Sequence, residues 1–553
     1  MIKKIVILIS LTLFFSCSSK KQNKDVLKKT TFSNPVLKGF YPDPSICKVG
    51  NEFYMINSTF AYFPGIPVFH SSDLVNWKQI GNALNRPEQL NLDGLGVSRG
   101  IFAPTISYHK GTFYIVSTLI DGKGNFIIHS KNPSKSWSNP TWLPEVSGID
   151  PSLFFDEDDK NYIIYNSEPP NNKPEYDGHR SLKILELDLE KLETVGKPKV
   201  IINKGAKPAD KPIWIEGPHI YKRNGFYYLM AAEGGTSDQH SEVVFRSKTI
   251  LGNYKSYEHN PILTQRNLNA DRKNPITSTG HADIIEDNFG NWWGVFLGCR
   301  PYDNQNHFNT GRETFMAPVK WENNWPIFDL KGETVKEKYE ILVDKNYKST
   351  LNNNVFIDEF TDEKLGFDWL FLRIPREKWY SMSEGKLIIN TRPETTSGTL
   401  NPSFIGYRQK HLFGNVTANL SFNAVSENEK AGLIAFQNEK HYYYLCKSLK
   451  DNIPVIQLLK STKNGTEEMA FKSINKSEKI SFKIEAKGLF YNFYYSLNDK
   501  DWLLLKENVD ATFLSTKTAG GFVGTIYGIY TTSSGEKSTN KAMYHWFKNK
   551  NIN

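Results

Sequence analysis

The sequence predicts an all-β protein in which a five-bladed β-propeller is followed by a β-sandwich. Three observations predict this: a short motif followed by an aromatic strand recurs five times, the second half alternates apolar and polar residues, and 553 residues exceed what one hydrophobic core supports. With 23% charged and 39% hydrophobic residues, the composition is that of a folded chain. Four cysteines are too few for a disulfide-dense scaffold.

The first 29 residues are predicted to be a leader and a polar tether. Lys3 and Lys4 precede an apolar run from Ile5 to Phe15, which is too short to span a bilayer but is typical of a signal-peptide core. The stretch Phe14-Phe15-Ser16-Cys17 resembles a bacterial lipoprotein cleavage box, in which the cysteine becomes the lipidated first residue. The alternative is an ordinary secretory peptide in which Cys17 is incidental.

Lipidation of Cys17 predicts an exported, membrane-anchored bacterial lipoprotein, periplasmic or at the cell surface. The membrane would then be contacted only through the N-terminal lipid. The three other cysteines are far apart in the sequence and are expected to be buried free thiols: Cys47, Cys299 and Cys446.

The net charge of +9 is concentrated at the N-terminus. Residues 1–29 carry seven lysines and one aspartate, a net of +6, and the rest of the chain carries only +3. A nearly neutral body does not support a basic groove for nucleic acid. It suits an uncharged partner instead.

Five repeats indicate the propeller, which we place at residues 32–330. Each repeat has a short motif, a turn and an aromatic strand, and the strands begin near residues 51, 111, 160, 224 and 290. A period of 49–66 residues built from short strands and Gly/Asn/Asp turns is typical of propeller blades.

Three of the repeats carry an acid at nearly the same place. Counted to the tyrosine of the next strand, Asp43 lies 11 residues before Tyr54, Asp150 lies 12 before Tyr162 and Glu216 lies 11 before Tyr227. Blades two and five have Ala103 and Ala282 there. Because opening strands line a propeller axis, the three carboxyls are expected to converge on one central pocket.

Such a convergence favours acid–base chemistry. Like charges held close raise at least one pKa, and an acid pair with separated pKa values is what glycosidic bond cleavage requires. The alternative for any single motif is a turn residue, since Asp-Pro commonly opens turns.

The motifs in order resemble glycoside hydrolase family 43 over about 300 residues. They are Tyr41-Pro-Asp-Pro-Ser, Phe102-Ala-Pro-Thr, Gly148-Ile-Asp-Pro-Ser, Trp214-Ile-Glu-Gly-Pro-His, Gly280-His-Ala-Asp and Gly311-Arg-Glu-Thr-Phe. The resemblance implies an inverting five-bladed-propeller enzyme, of a family that contains chiefly β-xylosidases and α-L-arabinofuranosidases, with arabinanases among them. The last two motifs, with a C-terminal sandwich, most resemble the β-xylosidase branch.

By position, the resemblance implies a role for each acid. Asp43 would be the general base that deprotonates the attacking water, and Glu216 the general acid that protonates the leaving oxygen. Asp150 would orient Glu216 and raise its pKa. Inversion requires room for a water, so the acting carboxyls are expected to lie roughly 6.5–9.5 Å apart.

The resemblance also names residues for substrate binding. Arg312 would donate to sugar hydroxyls at the blind end of the pocket. His281 would lie on the axis beneath the pocket, contacting water or, as in some members, a calcium ion indirectly; the alternative is a structural histidine, and no cofactor is required. Phe102 either floors a sugar subsite or packs in the core, and Phe63 and Trp77 stay open between the same alternatives.

The remaining sequence predicts a linker and a second domain. Residues 331–354 are polar and charged, and residues 355–553 carry period-two strands such as Val416, Ala418, Leu420 and Phe422. This part resembles the concanavalin-like (jelly-roll) sandwich of family 43 β-xylosidases. A loop at Gly520-Gly-Phe-Val-Gly is expected to narrow the pocket mouth. There are two alternatives for this second domain: it only stabilises the propeller, or it binds glycan itself.

Together these features predict an exo-hydrolase that releases β-1,4-linked D-xylose from the non-reducing end of xylo-oligosaccharides or xylan side chains. An exo-α-L-arabinofuranosidase is the first alternative, since the two pentoses have similar sizes. A retaining enzyme of the invertase kind would carry different acid motifs. A non-catalytic glycan-binding lipoprotein would not need three acids. The oligomeric state is not indicated by the sequence.

Overall fold

A computed structural model of the chain describes residues 27–348, 354–475 and 479–552. The predicted signal peptide and Cys17 lie outside these residues. Within them, no helix has the length and apolar character needed to cross a membrane. The fold is all-β, a propeller followed by a sandwich, as the sequence predicts.

The first strand and the five blades follow one another along the chain. β1 is Leu27–Ser33. Blade one has β2 (Ser45–Val49), β3 (Glu52–Ile56), β4 (Tyr62–Phe63), β5 (Gly65–Ser71) and β6 (Lys78–Leu84); blade two has β7 (Gly100–Ile101), β8 (Thr105–His109), β9 (Thr112–Ile120), β10 (Gly124–Ser130) and β11 (Thr141–Trp142); blade three has β12 (Ile149–Phe155), β13 (Asn161–Ser167), β14 (Ser181–Asp188) and β15 (Glu193–Asn203).

The last two blades complete the ring. Blade four has β16 (Glu216–Arg223), β17 (Phe226–Glu233), β18 (Ser241–Ser247), β19 (Lys255–Ser256) and β20 (Leu263–Thr264), and blade five has β21 (Thr277–Glu286), β22 (Trp292–Cys299), β23 (Glu313–Glu322) and β24 (Trp325–Phe328). Each blade is one antiparallel sheet, except that β4 leaves its blade. The inner strands β2, β8, β12, β16 and β21 contact one another around the axis.

The segment expected to be a linker instead contains a strand. β25 (Lys338–Asp344) pairs with β1, so the last three residues of the expected tether also lie in a sheet. Tyr339, Ile341 and Val343 point inward and alternate with more exposed residues. The charged outward residues hide this period-two pattern, which is why the stretch reads as a linker.

The second domain is a two-sheet sandwich. Its strands are β26 (Val355–Asp358), β27 (Trp369–Leu372), β28 (Tyr380–Ser383), β29 (Lys386–Asn390), β30 (Phe404–Arg408), β31 (Phe413–Ser421), β32 (Lys430–Asn438), β33 (His441–Lys450), β34 (Ile453–Thr462), β35 (Gly465–Ser473), β36 (Ile480–Lys487), β37 (Phe490–Ser496), β38 (Leu503–Asp510), β39 (Ile526–Thr532) and β40 (Lys541–Asn551). Among the described residues, the helical elements of the sandwich are α1 (Thr516–Ala519) and a 3₁₀ turn at Ala511–Leu514, and the propeller has 3₁₀ turns at Pro170–Asn172 and Pro208–Asp210.

The two domains share a sheet and buried polar contacts. β4 of the propeller pairs with β27, which extends one sandwich sheet into blade one. The fully buried guanidinium of Arg408 donates from Nε to the carbonyl of Phe40 at 2.8 Å and stacks on Tyr41. Removing such a buried partner leaves a charge unsatisfied, so these contacts hold the sandwich in one orientation.

The three described cysteines are buried free thiols, as the sequence predicts. Burial raises the pKa of the Cys446 thiol to about 12 and raises the pKa of Cys47 and Cys299 as well. Because the thiolate is the reactive form, these thiols are expected to be inert.

Candidate active site

A cavity of about 760 Å³ lies at one end of the propeller axis. The inner edge of every blade contributes to its wall, and the contributing residues include Asp43, Ala103, Asp150, Glu216 and His281. The three acids that share a register in the sequence are therefore brought to one place. We define the floor of the cavity as the half-buried Glu216 and four buried residues, Asp43, Asp150, His281 and Arg312.

Local backbone distortions turn the acids toward the axis. Asp43 and Asp150 have positive φ angles of 50° and 54°, and the pairing of β12 and of β16 shifts register next to Asp150 and after Glu216. Bulges of this kind re-aim a side chain at the cost of regular pairing. Aspartate tolerates the left-handed region better than most residues, which fits its use here.

Asp43 is held by two donors from different blades. Its side chain is only 5% exposed, Ser58 Oγ donates to Oδ2 at 2.6 Å, and Arg312 Nη1 donates to Oδ1 at 2.8 Å. Together the two donors fix the orientation of the carboxyl group. His281 Nδ1 lies 4.0 Å from the same Oδ1.

Arg312 closes the inner end of the cavity. Besides Asp43, its Nη1 donates to Thr236 Oγ1 at 3.0 Å, and its guanidinium lies over the rings of Phe60 and Phe522. Its buried Nε has no partner among the described residues. An arginine with an unused donor beside a buried carboxylate is equipped to bind a hydroxyl of a ligand.

Burial and mutual repulsion raise the pKa values of the other two acids. Glu216 has its pKa raised to about 7, first by burial and then by the charge of Asp43. Asp150 has its pKa raised well above its ordinary range by burial, then by Glu216 and Asp43. The backbone N–H of Gly217 donates to Asp150, so that Asp150 is tied to the residue next to Glu216. The floor therefore combines one ion-paired carboxylate with two that retain protons more strongly.

His281 lines the same cavity and lies next to Asp43 and Gly217. Burial lowers its pKa to about 4, so the ring is neutral at neutral pH. The backbone of Gly217 passes so close that an added Cβ would lie 2.7 Å from Nε2 of His281. Gly217 also has a φ of +56°, and both facts require glycine there.

The surroundings of His281 do not fit a directly bound calcium ion. Calcium takes six to eight oxygen ligands, whereas His281 offers nitrogens that face Asp43 and a backbone. Among the described residues, no group of three or more His, Cys, Asp or Glu side chains is arranged to hold a metal. Contact through water stays a prediction.

One side of the cavity mouth is aromatic. Phe102 is half-buried and packs against Phe60 and Phe522, with ring centroids 5.2 and 5.8 Å apart. Phe522 comes from the sandwich loop Gly520–Gly524, which the structure places at the cavity as the sequence suggested. Ser98 Oγ accepts from the Phe522 N–H at 2.9 Å, which fixes the loop on the propeller.

The other side of the mouth contains residues that sequence reasoning missed. Trp214 and Arg180 line the cavity, with the guanidinium carbon 4.1 Å from the ring centroid. Trp214 lies two residues before Glu216, and an aromatic residue so near a candidate acid is a signal that could have been used. Arg180 belongs to no repeated motif. Arg99 also lines the cavity, with its guanidinium carbon 5.6 Å from the Phe102 ring centroid. We define the mouth as Phe102, Arg99, Arg180, Trp214 and Phe522.

Phe63 and Trp77 lie away from the cavity. Phe63 is buried and pairs with Phe371 across the domain junction. Trp77 packs against the hydrophobic cluster of blades one and five, with its Nε1 donating to the Leu74 carbonyl. Both therefore serve packing, which was one of the two alternatives.

Known proteins resemble this chain along almost its whole length. Residues 32–326 match the model of glycosyl hydrolases family 43, and residues 357–550 match the β-xylosidase C-terminal concanavalin A-like domain. A xylosidase/arabinosidase of Butyrivibrio fibrisolvens is 40% identical over 93% of this chain and 98% of its own. A non-reducing end α-L-arabinofuranosidase of Bacteroides ovatus is 35% identical over 94% of this chain and 95% of its own.

A solved structure has the same fold throughout. The Bacteroides ovatus protein described as xyloglucan PUL GH43B superposes with a TM-score of 0.85, at 35% identity, covering 95% of this chain and 100% of its own. Both domains of this chain are therefore shared with its relatives.

Proposed function

The chain belongs to glycoside hydrolase family 43, and we propose that Asp43, Asp150 and Glu216 carry its hydrolytic reaction. The observation that supports this assignment best is the meeting of the three carboxyls in one cavity, each at the inner edge of a different blade. The enzyme is a glycoside hydrolase of a family of inverting enzymes. The three acids therefore have to support one step in which water displaces the leaving group from the sugar.

Asp43 is proposed as the general base. Its two donors hold it in one orientation, and a carboxylate has lone pairs left to accept a proton from water. Glu216 is proposed as the general acid, because a pKa of about 7 keeps much of it protonated near neutral pH. Asp150 acts through the Gly217 N–H, which holds the backbone next to Glu216.

The shape of the cavity favours release of one terminal sugar. Its mouth residues are partly exposed, whereas Arg312 and Asp43 are buried, and we propose that the terminal sugar lies against this buried pair with no path for a continuing chain. Donors of Arg312 would bind the hydroxyls of that sugar, and Phe102 would face it from the mouth side. Oligosaccharide ends are therefore the proposed substrates.

We propose β-1,4-linked D-xylose as the sugar released from xylo-oligosaccharides or xylan side chains. The match to a β-xylosidase sandwich and the name of the Butyrivibrio relative support it. A terminal α-L-arabinofuranose is the second candidate, favoured by the name of the Bacteroides relative.

Parallel assays on nitrophenyl β-D-xyloside and nitrophenyl α-L-arabinofuranoside test the sugar. We expect the xyloside to have the higher kcat/KM, and activity on the arabinoside alone would contradict the proposal. Release of α-xylose from a β-linked xylo-oligosaccharide, followed by NMR before mutarotation, tests inversion.

We also propose that the enzyme is exported and anchored by a lipid on Cys17, on the motif Phe14-Phe15-Ser16-Cys17. Replacing Cys17 by Ser is expected to move the protein from the membrane fraction to the soluble exported fraction. Unchanged membrane association would favour a different anchor.

A further inference from the structure

The mouth contains two arginines with different bonding. Arg99 engages Asp121 through both Nε and Nη2, so that its guanidinium edge is already occupied. Arg180 uses only Nη1, which donates to Glu168 Oε2 at 3.2 Å and to the carbonyl of His179 at 3.0 Å. Its Nε and Nη2 bond to none of the described residues. Arg180 therefore has two donors to spare at the cavity wall.

The guanidinium of Arg180 is held in place without being shielded from the cavity. Its side chain is 18% exposed and its carbon lies 4.1 Å from the centre of the Trp214 ring. The N–H of Trp214 donates to the carbonyl of Gly178 at 2.8 Å, which ties the segment before Arg180 to the segment before Glu216. A stacked, pre-positioned guanidinium loses little freedom when it binds a ligand.

Arg180 lies on the Glu216 side of the cavity. Its positive charge is close enough to lower the pKa of Glu216, against the larger effect of burial. A general acid contacts the oxygen that joins the released sugar to its leaving group. Whatever binds beside Glu216 toward the mouth is therefore the leaving group.

We propose that Arg180, stacked on Trp214, binds hydroxyls of the leaving-group sugar and makes the enzyme prefer saccharide over non-sugar leaving groups. This inference rests on the proposed role of Glu216. Arg180 contributes binding and selectivity, whereas the proton transfers stay with Asp43 and Glu216. Neither Arg180 nor its segment belongs to the repeated motifs, so the repeat pattern does not indicate this role.

Two substrates that share the released sugar separate binding of the leaving group from chemistry. The leaving group of xylobiose is a sugar with several hydroxyls. The leaving group of nitrophenyl β-D-xyloside is a nitrophenol, which has no sugar hydroxyls. We compare the loss of kcat/KM that Arg180→Gln causes on each substrate. The loss on xylobiose is expected to exceed the loss on the aryl glycoside by a factor of roughly ten or more, because the leaving-group sugar loses hydrogen bonds from a charged donor. If the wild type prefers arabinosides, the same comparison is made with an arabinoside that has a sugar leaving group and with nitrophenyl α-L-arabinofuranoside.

A pH profile gives the second readout. Removing the positive charge of Arg180 destabilises ionised Glu216, so the alkaline limb of kcat/KM should move to higher pH in Arg180→Gln. Arg180→Lys keeps the charge but loses the planar pair of donors. It should keep the wild-type limb while still losing part of the xylobiose preference.

Arg223→Gln is the matched control, since Arg223 also stacks on tryptophans, Trp292 and Trp321, but lines a different cavity. It should leave both substrates and the pH profile unchanged. Equal losses on both substrates in Arg180→Gln, or an alkaline limb that does not move, would overturn the proposal. A wild type that hydrolyses neither substrate pair would instead overturn the proposed function.

Discussion

The floor and the mouth of the cavity are built in different ways. Four of the five floor residues are buried, and Arg312 donates to Asp43 across two blades. Mouth residues are more exposed, come from loops and from the sandwich, and are held by ring contacts such as that of Arg180 with Trp214. Rigid buried charge suits chemistry on one fixed bond, whereas exposed rings and donors suit recognition of what varies around it.

Changing the acid of the floor should have the largest effect. In Glu216→Gln the general acid is lost while shape is kept, so kcat should fall by roughly 10²–10⁴-fold and sugar binding should survive. Steady-state kinetics and calorimetric titration with xylose measure the two. Glu190→Gln, at an exposed position, is the control. Full activity of Glu216→Gln would refute the mechanism and reopen a purely glycan-binding role.

Crowding the floor should cost stability. Gly217→Ala places a Cβ 2.7 Å from the ring of His281 at a φ of +56°, so we expect the free energy of unfolding to drop by about 2–4 kcal/mol. Denaturant unfolding measures it. Gly225→Ala has a similar φ of +70° and nothing within 4 Å, so it should cost only the strain, about 1 kcal/mol. Equal costs would show that the floor is less rigid than argued.

The protonation state of Glu216 should determine how kcat/KM depends on pH. Glu216 must be protonated to act, and its pKa is raised to about 7. As pH rises through this value the acid is lost, so kcat/KM of the wild type should fall about tenfold per pH unit above it. A profile that stays flat to pH 9 would assign the proton to another group.

Trimming the mouth should have the smallest effect and a different kinetic form. Phe522→Ala removes a ring from the sandwich side of the cavity, and we expect kcat/KM to fall roughly threefold to tenfold, mainly through KM. Phe471→Ala, an exposed phenylalanine elsewhere in the sandwich, should change nothing. A fall in kcat alone would mean that Phe522 orders the floor.

The same division explains what could be predicted from the sequence. Asp43, Asp150 and Glu216 are predictable because a repeat places them in register, and a ring of blades then brings them together. Arg180 and Phe60 lie outside the repeated motifs, in segments that have no counterpart in the other blades. Their approach to the cavity depends on long-range packing that no local pattern encodes.

Part of the fold was hidden for a related reason. The outward residues of β25 are mostly charged, and they obscure the strand pattern of the inward Tyr339, Ile341 and Val343. The partner strand β1 is also distant in the sequence, so no local pattern predicts the pairing. The pairing of β4 with β27 is hidden in the same way, because two residues are too few to show a period.

That short strand has a consequence for how the molecule can be divided. If the chain were cut after residue 330, Tyr62 and Phe63 would lose their strand partner and the carbonyl of Phe40 would lose the arginine that it accepts from. The isolated sandwich would expose β27 as an open sheet edge, a template for aggregation. We therefore expect a single cooperative calorimetric transition for the two domains, and neither half should survive as a soluble fragment.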